Sequence, residues 1–393
     1  AAPLEQALAG PVPVIDPTRG LADLAAGNVR VISEEAFRED PLRPLRGVRL
    51  ATELAFDLEP GTVELIRRYA ADVSRAAAER QRDELVRILD TERAADGVRL
   101  LEEVSLLEVL LPDTAAMRGV EQPKEHYWDV WQHSVETLAA LDRLLAASQP
   151  SGEPWATLWR LLRDELGWLA DELRGYLDEP ISADHRRIAI VKLGGLLHDI
   201  AKPQTKALDE TGRIRFFGHP EQGAEKAAAM MRRLRFAGRE VEFVSTMVDA
   251  HLRPVQLGQQ GLPTRRALYR LFRDCGEATL AVLLLSLADH LGSVGPRLNL
   301  AGWRTHLGLI NYILAEQRRD DSLVAPARLV SGHDLMQELQ IEPGPTLGRL
   351  LESVREARAA GEVTTKEEAL ALARRELGAI AEPNTSRGRN RSK

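Results

Sequence analysis

Six side chains able to ligate a metal occur in order along the chain: His133, the adjacent His198 and Asp199, His219, His251 and Asp289. Imidazole and carboxylate donors suit borderline first-row ions such as Mn, Fe, Co, Ni or Zn. A His-Asp pair at a helix end directs two different donors toward one ion, and Pro203 helps stop the helix there. Asp289 sits in the apolar run 281–291. On a buried face a lone carboxylate is costly, so a cation partner is expected. Taken singly, each residue has a plainer reading. His133 would be a capped or surface histidine, and a His-Asp dipeptide is common. Joint order, helical context and the Lys202-Pro203 follow-on make the set a candidate metal site. His126, His185, His290, His306 and His333 lack that context and read as structural.

The elements that must carry these residues are helices. Val63, Leu65, Ile66 and Tyr69, then Leu85, Ile88 and Leu89, then Ile188, Val191, Leu196 and Leu197 fall at helical spacings, and alternating strands are scarce. The reading is an all-α chain. Pro3, Pro11, Pro13 and Pro17 make the first 25 or so residues extended or loop. A helix starting near Tyr127 carries His133 and ends at the break 148–152. The segment 154–179 reads as an inserted helical pair in which Trp155 and Trp159, one turn apart, pack. A turn at 209–212 suggests a short hairpin. Ser331 with Asp334, and Thr365 with Glu368, are candidate capping boxes for late helices.

Composition sets bounds. The 393 residues are 44% hydrophobic and 28% charged, enough for large cores in two or three domains. One cysteine, Cys275, excludes an internal disulfide framework and fits a cytoplasmic location. The longest apolar run, Leu280 to Leu285, is far short of the ~20 residues that span a bilayer, so no membrane is expected. No signal-peptide pattern opens the chain. A net charge of −7 means that any RNA surface must be a local patch. The basic end, Arg387 to Lys393, reads as a disordered, solubilising tail.

His198-Asp199-Ile200-Ala201-Lys202-Pro203, with the earlier His133 and the later helical Asp289, resembles the HD phosphohydrolase superfamily. In that superfamily the set His133, His198, Asp199 and Asp289 holds one ion. His219 and His251 stand where two further histidines accompany a second. The resemblance therefore implies one or two divalent transition-metal ions (Mn, Ni, Fe, Co or Zn), bridged by Asp199. Water acidified between them would attack phosphorus. Asp199 and Lys202 become the expected catalytic residues, Lys202 by steadying a phosphate oxygen. Phosphomonoesters and 2′,3′-cyclic phosphodiesters are the implied substrates.

A second resemblance spans about Ile15 to Leu377. Ile15-Asp16-Pro17 through Leu24, Phe37-Arg38-Glu39-Asp40-Pro41-Leu42-Arg43, and Glu79-Arg80 through Leu85 are similar to the neck of the bacterial CCA-adding enzyme and poly(A) polymerase family. Leu329 to Leu335, Pro343-Gly344-Pro345 and Gly361 to Ala369 resemble its tail. The implied domains are 1–30, the end of a nucleotidyltransferase head; 31–115, neck and body helices; 120–320, an HD domain with an insertion at about 148–182; 325–380, a helical tail; and 381–393, the basic end. By the resemblance Asp40 and Arg43 template the incoming nucleotide and Arg80 positions them. On one helix the first two would share a face, and Pro44 inside that helix would kink it. The family's head holds two Mg²⁺ ions on an Asp-x-Asp pair, a pattern found nowhere in these 393 residues. Nucleotide addition, and Mg²⁺, are thus expected only with such a head. Arg266, Arg270 and Arg273 form a stripe able to meet RNA phosphates, and the neck adds Arg38, Arg46 and Arg49. RNA, with the tRNA 3′ end as its form, and nucleotides or phosphate esters are the implied partners. Oligomeric state is open. The alternative is a non-catalytic RNA-binding module with a structural metal.

Overall fold

The structure, a computed structural model, describes residues 15–182, 185–320, 323–324 and 326–381. Pro3, Pro11, Pro13 and the basic end from Arg387 lie outside the described residues. The architecture is all-α. Among the described residues, strands occur only as three short pairings, the longest being the antiparallel hairpin Lys206–Leu208 with Ile214–Phe216. The chain divides into two compact units, 1–252 with 280–307, and 253–279 with 308–393.

In the first unit, a helix runs from Gly20 to Ala26, inside the stretch expected to be extended or loop. Asp16 starts it by accepting from the amides of Gly20 (2.7 Å) and Leu21 (2.9 Å), which would otherwise lack partners. The neck packs the helices Arg43–Leu54, Ala78–Leu89 and Ala94–Glu103 around Leu45, Val48, Leu85, Ile88, Val98 and Leu101, all 0% exposed.

Two expectations about the neck need correcting. Asp40 is not on a helix with Arg43: it ends the short helix Glu35–Glu39 in an extended conformation (φ −134°, ψ 104°). Pro41 dictates this, because the residue before a proline is crowded out of the helical region. Nor does Pro44 kink anything. It lies in the first turn of Arg43–Leu54, where the missing N–H would have had no partner.

The helices bearing the six candidate ligands follow. Val130–Leu144 carries His133 and is capped by Asp129, whose side chain accepts from Gln132 N (2.7 Å). Arg187–Leu197 is buried along nearly its whole length and delivers His198 at its end. His219–Arg233 and Gly238–Ala250 pack as a hairpin of helices, with His219 opening the first and His251 closing the second. Thr279–Val294 carries Asp289. By length and composition the stretch 265–297 would suffice to cross a membrane, contrary to the reading of its longest run. Yet 67% of its most apolar window is buried inside the protein, so its apolarity serves the core.

A buried ion pair ties this bundle to the neck. Lys192 Nζ meets Asp142 Oδ1 at 2.7 Å and donates to Thr91 O at 2.5 Å, while Asp142 Oδ2 accepts from Ala95 N at 2.8 Å. The inserted pair comprises Trp155–Leu166 and Ala170–Asp178. Its indoles are faced by arginines, Arg143 over Trp155 at 4.4 Å and Arg163 over Trp159 at 5.4 Å.

In the second unit, Gly332–Leu339, Pro345–Ala359 and Lys366–Ala381 enclose Leu335, Leu350, Val354, Ala369 and Ala373. Ser331 and Asp334 cap each other reciprocally, as do Thr365 and Glu368. The helix Arg265–Cys275 packs on Pro345–Ala359.

Candidate metal centre

The six expected ligands converge in the first unit as two triads. His133, His198 and Asp289 form one, Asp199, His219 and His251 the other, with the ligating atoms of each within 4.8 Å of one another. Asp199 joins them. Its Oδ2 lies 3.1 Å from His198 Nε2 and 3.3 Å from His133 Nε2, and its Oδ1 lies 3.5 Å from His219 Nε2 and 3.7 Å from His251 Nε2. Asp289 Oδ1 completes the first triad, 3.0 Å from His133 Nε2.

Backbone geometry sets which nitrogen each ring presents. His198 Nδ1 donates to Gly195 O (2.8 Å), His219 Nδ1 to Phe216 O (2.7 Å) and His251 Nδ1 to Val248 O (2.6 Å). A carbonyl only accepts, so the proton must sit on Nδ1, and in the neutral ring Nε2 is left with its lone pair facing inward. His219 Nε2 and His251 Nε2 then face each other at 3.3 Å, lone pair to lone pair. Such a contact is repulsive unless a cation lies between the donors. Both oxygens of Asp199, which is 1% exposed, also lack a hydrogen-bond donor in good geometry. The donor set therefore fits transition-metal ions.

The electrostatics agree. Burial pushes His251 down to about 3 and also lowers His219, so both rings are neutral. Burial alone would lower His133 too, but hydrogen bonds to Asp199 and Asp289 raise it to about 9. The two carboxylates resist burial and stay well below their usual range, Asp199 through Lys202 and its imidazole neighbours, Asp289 through His133. The site is built to hold positive charge, and a proton competes with a metal for the same lone pair.

Lys202 reaches in from the turn after Asp199: its Nζ lies 2.6 Å from Asp199 Oδ2 and 2.7 Å from Gln122 Oε1, with the Phe216 ring 5.3 Å away. One residue read as structural belongs beside the site. The His126 ring stands edge-on to His133 with centroids 5.2 Å apart, and its Nδ1 is buried without a partner. Burial and the Lys202 charge push it down to about 4, so it is neutral. The sequence carried only a faint signal for it, its place one turn ahead of the Asp129 cap. His185 pairs with Glu240 (2.7 Å), and His290 stacks on His306 (5.2 Å), as structural residues do.

The neck residues also meet. Asp40 Oδ2 accepts from Arg80 Nη2 at 2.9 Å and lies 3.5 Å from Arg46, whereas Arg43 turns to Glu39 and Ala36 O, each at 3.0 Å. Arg38 is held by Glu34 and the Tyr69 hydroxyl, and Arg49 by Glu84 and Glu53. In the second unit, the arginine stripe faces carboxylates of its own unit. Arg266 pairs with Glu362 and Arg270 with Glu356 (both 2.6 Å), and Arg273 with Glu352 (2.6 Å) and Glu356 (3.1 Å).

Comparison with known proteins places this geometry in a family. A model described as HD domain matches residues 156–293, five of the six ligands; it begins after His133, which the fold brings to the others. A model described as "Probable RNA and SrmB- binding site of polymerase A" matches 55–117, and one for tRNA nucleotidyltransferase domain 2 matches 314–373. The A-adding tRNA nucleotidyltransferase of Deinococcus radiodurans is 34% identical over 375 residues, 92% of this chain and 74% of that protein. The CC-adding tRNA nucleotidyltransferase of Thermus thermophilus is 36% identical over 349 residues, 87% of this chain and 68% of that protein. In fold, the crystal structure of the Bacillus stearothermophilus CCA-adding enzyme in complex with CTP superposes with a TM-score of 0.53 at 19% identity, covering 93% of this chain and 70% of that one. With relatives of that identity matched over most of their length, the chain belongs to the tRNA nucleotidyltransferase family, and within it carries an HD domain.

Proposed function

We propose that the HD centre is a metal-dependent phosphohydrolase acting on phosphomonoesters or 2′,3′-cyclic phosphodiesters, in a protein whose wider role is processing of RNA 3′ ends. The observation that carries this reading is the division of the Asp199 carboxylate, one oxygen toward each triad. A carboxylate shared in this way suits a pair of ions. Mn, Ni, Fe, Co or Zn, when bound, would supply Lewis acidity toward a phosphate ester and acidify water for attack on phosphorus. His133, His198 and Asp289 would hold one ion, His219 and His251 the other, with Asp199 between. Lys202 keeps Asp199 ionised and offers its charge to the phosphate.

The names of the relatives suggest tRNA as the RNA partner and a cytoplasmic location. In the neck, Asp40 and Arg80, joined at 2.9 Å, with Arg43, would form the nucleotide-reading group: a carboxylate accepts from exocyclic amines and a guanidinium donates to ring acceptors. Nucleotide addition also needs carboxylates to hold metal at the α-phosphate, and no Asp-x-Asp pair stands in these residues. For the residues at hand, hydrolysis at the HD centre is the chemistry proposed.

The test is turnover of 2′,3′-cyclic AMP by the purified chain reconstituted with Mn²⁺ or Ni²⁺, with Asp199→Ala as control. Turnover that the substitution abolishes is expected. Metal binding without turnover of cyclic or monoester substrates would sink the phosphohydrolase reading. The chain would then be an RNA-binding module with a structural metal.

A further inference from the structure

The strap from Gly119 to Asp129 meets the candidate metal centre through Gln122 and His126 and is held by several anchors. Asp129 closes it, accepting from Gly119 N at 2.7 Å. From the hairpin side, Arg213 pairs with Glu125 (2.7 Å) and Lys206 with Glu121 (3.6 Å). From the far side, Tyr127 N donates to Ser293 O (2.9 Å) and Arg297 to Lys124 O (3.1 Å). Tyr127 lies so close to Gly295 that a Cβ there would stand 2.9 Å from the ring. This much anchoring for an eleven-residue connection fixes what its middle presents, namely Gln122 and His126.

We propose that His126 and Lys202 form the subsite that grips the non-bridging oxygens of the substrate phosphate, with Gln122 as the residue that positions Lys202. The assignment rests on the phosphohydrolase reading of the same centre. Counting donors supports it. A lysine ammonium has three N–H groups; here one donates to Gln122 Oε1, while Asp199 Oδ2 at 2.6 Å is an ion-pair partner, so donor capacity is left over. Gln122 is itself fixed, its Nε2 donating to Trp128 O at 3.3 Å. Its amide is thus held at both ends, the oxygen on Lys202 and the nitrogen on the strap itself. His126 belongs to neither triad, yet it abuts the ligand His133, and its buried Nδ1 has no partner. A buried polar nitrogen beside a reaction centre, held by a pinned strap and unused by the protein, is placed to bond whatever lies next to the ions. Phosphate oxygens fit both arms, an imidazole N–H and an ammonium.

The experiment measures inorganic phosphate binding to the full chain loaded with Mn²⁺ or Ni²⁺, by calorimetry, alongside metal content. For His126→Ala, phosphate affinity is expected to fall at least about tenfold, the scale of a lost hydrogen bond to a charged group, with metal content unchanged. His126→Gln, which keeps a donor, should recover part of that loss, and Gln122→Ala should weaken phosphate about threefold. With 2′,3′-cyclic AMP, His126→Ala should raise KM more than it lowers kcat. Unchanged phosphate affinity with full metal content would overturn the proposal, because His126 would then merely pack. Loss of metal in the His126 variants would overturn it too, making the ring a prop for His133. The two readings separate cleanly. His126-dependent phosphate binding without turnover of any ester keeps the subsite and sinks hydrolysis. Turnover indifferent to His126 keeps hydrolysis and sinks the subsite.

Discussion

Which nitrogen an imidazole turns inward decides what the centre can bind. His198, His219 and His251 each spend Nδ1 on the carbonyl three residues earlier, so the chain's own backbone selects the metal-binding tautomer. Asp199 then divides its oxygens between the triads, and this division makes a prediction at the residue scale. After reconstitution with Ni²⁺ or Mn²⁺, the wild-type chain should hold about two ions by elemental analysis, and His251→Ala about one, because the first triad keeps all its donors. Equal metal content in the two proteins would rule out the second triad as a site.

Helices bring the donors together, and their closest approach is testable. A Cβ on Gly292, one turn after Asp289, would stand 2.9 Å from the backbone N and 3.0 Å from the Cα of Thr137, one turn after His133. Backbone cannot give way as a side-chain tip can. Gly292→Ala should therefore cost about 1–3 kcal/mol in denaturant melts and loosen the His133–Asp289 pairing, so that metal affinity falls with it. Stability without change would mean that the two helices are not in this contact. A second element-scale prediction concerns His185 and Glu240, paired at 2.7 Å. Glu240, with burial raising it, is drawn below 4.5 by His185, and its stabilising effect fades as pH falls through its folded value. His185 is raised above 6.5 by its bond to Glu240. Its contribution is full below 6.5 and fades as pH rises through the raised value. Relative to wild type, His185→Gln should thus lower Tm most between pH 4.5 and 6.5. A Tm difference that is flat with pH would show that the pair carries no linked charge.

On the scale of the whole molecule, charge placement gives the arginine stripe a second reading, as structural ion pairs. Arg270 and Arg273 hold Glu356 and Glu352 within the second unit, and exposed pairs of this kind contribute about 0.2–1 kcal/mol each. Arg270→Ala should lower Tm slightly. It should change the salt dependence of tRNA binding by much less than the ~0.9 logarithmic slope of a true phosphate contact, measured by filter binding from low to moderate salt. A slope change near one would place Arg270 on the RNA surface.

Much of this protein was written in local pattern. Apolar spacing along Arg187–Leu197, the Ser331 and Thr365 caps and the turn at Asp209 each depend on neighbours within a few residues, and the structure has the helices, caps and hairpin they imply. Ligand types and order pointed to a metal site for the same reason, since few other roles combine four histidines and two aspartates in helical settings. The rest was decided by one local rule passed over and by tertiary structure. Asp40 left the helix because Pro41 follows it, a local rule outweighed in the sequence reading by the three-residue spacing to Arg43. Glu352, Glu356 and Glu362 lie some 80 to 100 residues from the arginines they neutralise, and no periodicity reports a partner at that distance. His126 likewise looks ordinary until the fold sets its ring against His133. Sequence specified which donors exist and in what local frame; only long-range packing could decide which of them face one another.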